Sequence, residues 1–302
     1  MKHAVIGGAG FIGHHIVNKL IDRGDEVIII DNLSTGRKEN INEKAKFHQF
    51  DITDTVAQKV ISDLLHGVDT VFLTAALARV QPSIEDPIRY NEANVTGVLR
   101  VLEACRTAKV RRVVYSASSS AYGETSVFPT PETASASPLS PYALQKYIGE
   151  QYCKLYSQVY GLDTVSLRYF NVYGEGMSNE GAYKMVLSVF GEQYKNNLPL
   201  TYTNDGTQLR DFTYVMDVVA ANILAGDYTE SLNGDVFNVG NGNNYSVNEI
   251  MLMFGGPNEF LENRIEPSQT LADNSKLRKK FGWEPKGNLT LFIEQYKKDL
   301  KS

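Results

Sequence analysis

The stretch MKHAVIGGAGFIG, Met1 to Gly13, decides the fold. The apolar run HAVI stops at glycine and a helical pattern starts near Phe11, so the stretch reads as strand, tight turn and helix. Gly7, Gly10 and Gly13 let the turn close, and they let its backbone approach a pyrophosphate resting on the positive end of the helix. Any tight strand-to-helix turn can hold glycines; what sharpens the reading is Asp31, at the end of the next apolar run, EVIII, about 20 residues on. A carboxylate there accepts hydrogen bonds from the ribose hydroxyls of NAD and repels the extra phosphate of NADP. Arg37 and Lys38, just beyond, keep an NADP reading open. The spacing is G-x-x-G-x-x-G rather than G-x-G-x-x-G.

Outward from that turn, HAVI, EVIII, KFHQF, TVFL, RRVVYS and TVSLRYF alternate with amphipathic stretches. Such alternation builds an α/β fold, a parallel sheet covered by helices on both faces. From about Tyr173 the pattern loosens into glycine- and asparagine-rich loops, among them YTNDGTQLRDF and NVGNGNNYS, which read as a smaller lobe beside the sheet. The division expected is 1–172 with part of 215–242 in the first domain, and 173–214 with 243–302 in the second.

With 302 residues and 42% hydrophobic content, the chain is long enough for a real core, which excludes a disordered or fibrous protein. A net charge of −5 without basic runs leaves no electrostatic footprint for nucleic acid or an anionic membrane. The opening residues reach glycine after about three apolar positions, short of a signal-peptide core, and no apolar run approaches a bilayer span. Two cysteines, Cys105 and Cys153, are too few for a disulfide framework. A cytoplasmic protein with reduced thiols is expected, with no metal, since no His, Cys or carboxylate cluster has ligand spacing. His14 and His15 read as surface residues of the first helix.

SPYALQK, Ser140 to Lys146, carries the chemistry. Ser140 suits an N-cap and Pro141 the first helical position, so Tyr142 and Lys146 share one face of a helix. A phenol is a poor base at neutral pH, but an ammonium nearby favours phenolate and makes a usable general base. A solvated helix face is the alternative for this pair taken alone. Ser118, in the loop VVYSASSSAYG, leaves the carboxyl edge of the sheet, where open α/β folds put their sites.

GGAGFIG, Asp51-Ile52, Asn94 in EANVTGVLRVLEA, SASSSAYG, Tyr142 with Lys146, and RYFNVYG together resemble an extended short-chain dehydrogenase/reductase of the NAD-dependent epimerase/dehydratase family, among its nucleotide-sugar 4-epimerases. The resemblance implies a doubly wound Rossmann sheet with a C-terminal substrate lobe. It implies NAD held by Gly7, Gly10, Phe11, Ile12, Gly13, Asp31, Asn32, Asp51, Ile52, Ala75, Ala76, Asn94, Ser116, Tyr142, Lys146 and Tyr169. It further implies Ser118, Tyr142 and Lys146 as catalytic residues, and a homodimer through the helix that contains Tyr142. That helix shows Ile148, Tyr152, Leu155, Tyr156 and Val159 at helical spacing, a stripe that suits a partner or its own sheet.

For a UDP-sugar substrate, Asn171 matches a phosphate-contacting asparagine and Arg210 an arginine that reaches the diphosphate; a salt bridge from Arg210 to Asp211 or Asp217 is the structural alternative. Arg264 matches a second diphosphate arginine and Glu266 a ribose contact, with the local spacing shifted by one residue. The position where a bulky tyrosine restricts relatives to plain hexoses reads here as Leu271 or Thr270, and as Thr270 when matched on Asp273; neither is aromatic, which leaves room for an N-acetyl group at C2. Two departures stand out. Dehydratases and decarboxylases of the family carry acids just after the active-site serine, where this chain has Ser119 and Ser120, and a common histidine is replaced by Leu73. The expected activity is 4-epimerisation of UDP-hexoses and UDP-N-acetylhexosamines; a dehydratase, decarboxylase or reductase of the same family, or a silent nucleotide-sensing relative, are the alternatives.

Overall fold

The computed structural model describes residues 1–177, 185–263 and 266–301. Each β-branched run becomes a strand: β1 (Lys2–Ile6), β2 (Glu26–Asp31), β3 (Lys46–Gln49), β4 (Thr70–Leu73), β5 (Arg112–Ser118) and β6 (Asp163–Tyr169). With a seventh strand, Asp235–Val239, they form one all-parallel sheet. Its spatial order is β3-β2-β1-β4-β5-β6 and then the seventh strand. The order reverses between β1 and β4, the switch point at which a doubly wound sheet opens a crevice.

Strands covered on both faces need no polar side, which is why Ala4, Val5 and Ile6 are successive apolar residues and all fully buried. One face packs against α2 (Ala57–Leu64), α5 (Val98–Thr107) and α6 (Pro141–Tyr160). The other packs against α1 (Phe11–Asp22) and the helix Val215–Asp227. Two short helices, α3 (Val80–Glu85) and α4 (Pro87–Asn91), lead from β4 towards α5 through a wide turn at Glu92–Gly97.

The smaller lobe has its own core, centred on Tyr173, Phe190, Phe212, Ile250, Phe254 and Ile293. Leu277 and Trp283, which the sequence division places in that lobe, pack instead in the core of the sheet. The Trp283 indole N–H donates to the Asp217 carbonyl at 2.9 Å. Asp211 stitches the lobes together: its fully buried carboxylate accepts from the backbone N–H groups of Asn241 (2.8 Å), Gly242 (3.0 Å) and Ala272 (3.0 Å). Burial pushes its pKa up to about 6. His14 departs from its surface reading: it is buried, with Nδ1 2.9 Å from the Gly10 carbonyl. It stacks on His15, whose Nε2 lies 2.8 Å from the Glu175 carbonyl, so the pair pins the loop after Tyr173 onto α1.

Cys105 and Cys153 are free and buried, and among the described residues no helix is long and apolar enough to cross a membrane. α6 starts and ends as its sequence dictates. Ser140 Oγ accepts from the Ala143 N–H, Pro141 follows, and Gly161 ends the helix in the left-handed conformation at φ 68°. The helix is fixed to β6 by a buried ion pair, in which Arg168 donates to both oxygens of Glu150 at 2.8 and 2.7 Å. Glu150→Ala would leave the Arg168 charge buried and uncompensated, at a cost of about 3–5 kcal/mol. Urea unfolding is expected to show a loss of that size, and an unchanged midpoint would contradict the anchoring role.

Candidate active site

Gly7 takes φ 90°, and a Cβ there would fall 2.4 Å from the Ala75 amide nitrogen; a Cβ on Gly13 would fall 2.1 Å from the Gly7 carbonyl. The turn therefore lies directly on the loop leaving β4, whose Thr74 hydroxyl donates to the Gly7 carbonyl at 3.1 Å. Gly10, the N-cap of α1, offers no side chain to the first-turn N–H groups, which leaves them for an anion. Across the turn, Asp31 accepts from the N–H of Ala9 (3.0 Å) and of Leu33 (2.8 Å), one bond per oxygen, so each oxygen keeps a lone pair for a ribose hydroxyl. Asn32 donates to Asp51 at 2.8 Å, and Ile52 packs against the wide turn at Gly97. Burial opposes the Asp51 charge, but hydrogen bonds from Asn32 and Thr53 outweigh it and hold the carboxyl below its ordinary value. These residues fit NAD: Gly7 to Gly13 for the pyrophosphate, Asp31 and Asn32 for the ribose, with Ala75 against Gly7 on the opposite wall.

Asn94 enters this site indirectly. It is fully buried: Oδ1 accepts from the Leu77 N–H, while Nδ2 donates to the Leu77 carbonyl and to Gln145. It clamps the loop at Leu77. The Tyr169 hydroxyl is likewise satisfied inside, by Ser116 at 3.0 Å and Asn222 at 2.8 Å, and burial pushes it up to about 12.

Ser118 ends β5 and Tyr142 stands in the first turn of α6, its N–H donating to the buried Ser83 hydroxyl at 3.1 Å. Ser118 Oγ accepts from both the N–H (3.2 Å) and the hydroxyl (2.8 Å) of Ser120, which leaves its own proton to give. Burial raises the Tyr142 phenol above its ordinary value, against a hydrogen bond from Ser118 and the charge of Arg79. Lys146 does not act on that phenol as its spacing suggests. Its ammonium donates to the Ser116 carbonyl at 2.8 Å and stands 4.9 Å from the centre of the Tyr115 ring. Burial lowers it to about 8.

In the second lobe, Asn171 donates to the Asp211 carbonyl (2.8 Å) and to Thr270 Oγ1 (3.2 Å), which also accepts from the Asp211 N–H (3.1 Å). Asn171 and Thr270, 99 residues apart in sequence, are thus in contact. Arg210 pairs with Glu266 rather than with Asp211 or Asp217. Asp211 is committed to backbone N–H groups, and Asp217 accepts from those of Lys286 and Gly287. Arg264 lies outside the described residues. Sequence reasoning missed Ser83, Gln145, Asn222 and Arg79, none of which carries a spacing signal.

A model of the NAD dependent epimerase/dehydratase family matches residues 3–240. The chain belongs to that family. The UDP-glucose 4-epimerase of Lactobacillus helveticus is 34% identical over 316 residues, covering 95% of this chain and 92% of its own. The structure of Thermotoga maritima UDP-glucose 4-epimerase with UDP-glucose superposes with a TM-score of 0.91 at 36% identity, over 99% of this chain and 100% of that one. Methanobrevibacter ruminantium UDP-N-acetylglucosamine 4-epimerase, in complex with UDP-N-acetylmuramic acid, gives 0.91 at 35% identity, over 99% and 97%.

The buried lysine of this epimerase-family site has a pH consequence. Its pKa is lower folded than unfolded, so the native state binds fewer protons between about pH 8 and the ordinary lysine value near 10.4. Stability attributable to Lys146 therefore rises with pH through that window. In nucleotide-stripped protein, the stability difference between native enzyme and Lys146→Met is expected to shift in favour of the native side chain from pH 7.5 to 9.5. A pH-independent difference would contradict the burial argument.

Proposed function

We propose that this chain is an NAD-dependent UDP-sugar 4-epimerase. The observation that supports the reading is that Ser118 and Tyr142 are hydrogen-bonded neighbours at the ends of β5 and α6, on the sheet whose first turn is a glycine cradle that fits NAD, with no acid beside Ser118. Bound NAD would supply the acceptor and donor of the hydride at C4. The chain's own residues handle the proton. Tyr142 Oη takes it from the C4 hydroxyl and returns it, while Ser118, whose oxygen is saturated by Ser120, donates to the reacting oxygen. Lys146 binds the nicotinamide ribose. Ser119 and Ser120 supply no proton donor for water loss, which separates this site from a dehydratase.

Residues 1–172 with part of 215–242 hold the cofactor, and 173–214 with 243–302 hold the nucleotide sugar. Arg210 meets the diphosphate, joined by Arg264 and by Asn171 once a phosphate oxygen replaces one of the two acceptors its amide now holds; Glu266, now paired with Arg210, is freed for a ribose when phosphate takes the guanidinium. Relatives of both the plain-hexose and N-acetylhexosamine kinds support a UDP-sugar substrate. Thr270, short and tethered to Asn171, leaves space at C2 for an acetamido group.

A cytoplasmic homodimer is the form we infer. The apolar stripe of α6 divides: Tyr156 turns inward, hydrogen-bonded to Glu103, while Leu155 and Val159 face out with Leu144 and, on α4, Ile88, which is 78% exposed. Sedimentation at micromolar concentration is expected to give a particle of two 33.6 kDa chains; a single-chain mass would contradict it.

Tyr142→Phe is expected to lose several orders of magnitude in turnover of UDP-glucose or UDP-N-acetylglucosamine while still releasing near-stoichiometric NAD on denaturation. Near-normal turnover, or protein that purifies empty and consumes added NAD(P)H, would overturn the reading. Thr270→Tyr is expected to cut kcat/KM for acetylated relative to plain sugars by roughly ten- to hundredfold, an overpacking cost of about 1–3 kcal/mol. An unchanged ratio would refute the gate.

A further inference from the structure

One charged group at this site has no use in the reaction described so far. Arg79 leaves the loop after β4 half-buried, at φ 128° and ψ 139°, a conformation that an L-residue keeps only where its surroundings enforce it. Those surroundings are two clamps. Asn94 grips Leu77 through both its N–H and its carbonyl on one side, and on the other Ser83, one helical turn beyond Arg79, lies under the Tyr142 N–H. The segment between them is held against the first turn of α6, and its guanidinium comes within electrostatic reach of the Tyr142 phenol. Among the described residues Arg79 has no ion pair, and only two tyrosines, Tyr142 and Tyr90, act on its charge. A half-buried guanidinium with no carboxylate partner among the described residues offers its N–H donors to an anion.

We propose that Arg79 is a specificity-determining residue that binds a carboxylate carried by the sugar of the nucleotide-sugar substrate. This rests on the proposed function and names the substrate class it takes. The diphosphate is met from the other lobe by Asn171 and Arg210, whereas Arg79 stands beside the tyrosine that meets C4. An anion within its reach therefore hangs from a carbon next to C4 or one bond further: a C6 carboxylate, as in a hexuronate, or the acid of an ether group at O3. A planar fork suits either through two parallel hydrogen bonds. A neutral hydroxymethyl group offers one weak acceptor and leaves the desolvated charge unmatched.

The test measures Kd by calorimetry with the cofactor-loaded protein, in the Tyr142→Phe background so that nothing turns over. The ligands are UDP-glucuronate, UDP-N-acetylmuramate, UDP-glucose and UDP. Before any change at Arg79, one of the two carboxylated sugars is expected to bind at least about tenfold tighter than UDP-glucose; the one that does identifies the carbon. Arg79→Ala is expected to weaken that ligand about a hundredfold and UDP by less than about threefold, and Arg79→Lys to recover about tenfold. Equal weakening of UDP would place Arg79 on the diphosphate and overturn the assignment. So would tighter binding of UDP-glucose than of both carboxylated sugars, a result that needs no variant at Arg79. Inversion at C4 is followed separately in the protein with Tyr142 intact. If the binding ratios hold and no sugar is inverted, the epimerase reading falls and this assignment stands; if only neutral sugars bind and invert, the reverse is true.

Discussion

The approach of the β1–α1 turn to the loop after β4, closer than any Cβ at Gly7 would allow, sets the geometry of everything else at the site. It leaves the N–H groups at the start of α1 open, brings Ala75 against the cradle, and fixes where the loop towards Arg79 must run. Asn94 then holds that loop from beneath. Because the sheet order reverses at this same place, the crevice lies between β1 and β4, and the ends of β5 and α6 bring Ser118 and Tyr142 to its rim. Ser118 and Tyr142 are positioned by regular elements anchored in the core, β5 and α6.

Electrostatics at the phenol come out differently from the simplest reading of a tyrosine and a lysine four apart. Burial raises Tyr142 and lowers Lys146, so both groups resist the charged states that proton transfer needs. Lys146 spends its ammonium on the Ser116 carbonyl and on the Tyr115 ring, and the cation acting on Tyr142 is Arg79. In the proposed relay Ser118 arrives with its acceptor capacity already filled by Ser120. Its proton is directed outward, towards the phenol and the substrate oxygen.

The sheet was legible in the sequence because its strands are buried on both faces and read as unbroken apolar runs, and the cofactor turn because only glycine tolerates that backbone approach. Ser140 and Pro141 announced α6 for equally local reasons. The parts that were not legible are set by tertiary contact. Trp283 joins the sheet's core across a break between lobes, His14 is buried by a loop 160 residues downstream of its neighbour His15, and Asn94 clamps Leu77, 17 residues before it. Arg210 finds Glu266 beside a single bridge from Leu209 to Gln269 that no spacing encodes, in preference to the aspartate next to it. Arg79 carries no sequence signal at all; its meaning comes from two clamps, one on either side of it.

In the proposed epimerisation the hydrogen at C4 leaves as hydride and returns to the same carbon while Tyr142 moves only the hydroxyl proton. Nuclear magnetic resonance of UDP-sugar epimerised to equilibrium in deuterated water tests this most directly. The expected product is inverted at C4 with its carbon-bound hydrogen fully protiated. Deuterium on C4, or on C3 or C5 beside it, would mean that a carbon-bound proton exchanges with solvent, and would contradict the mechanism.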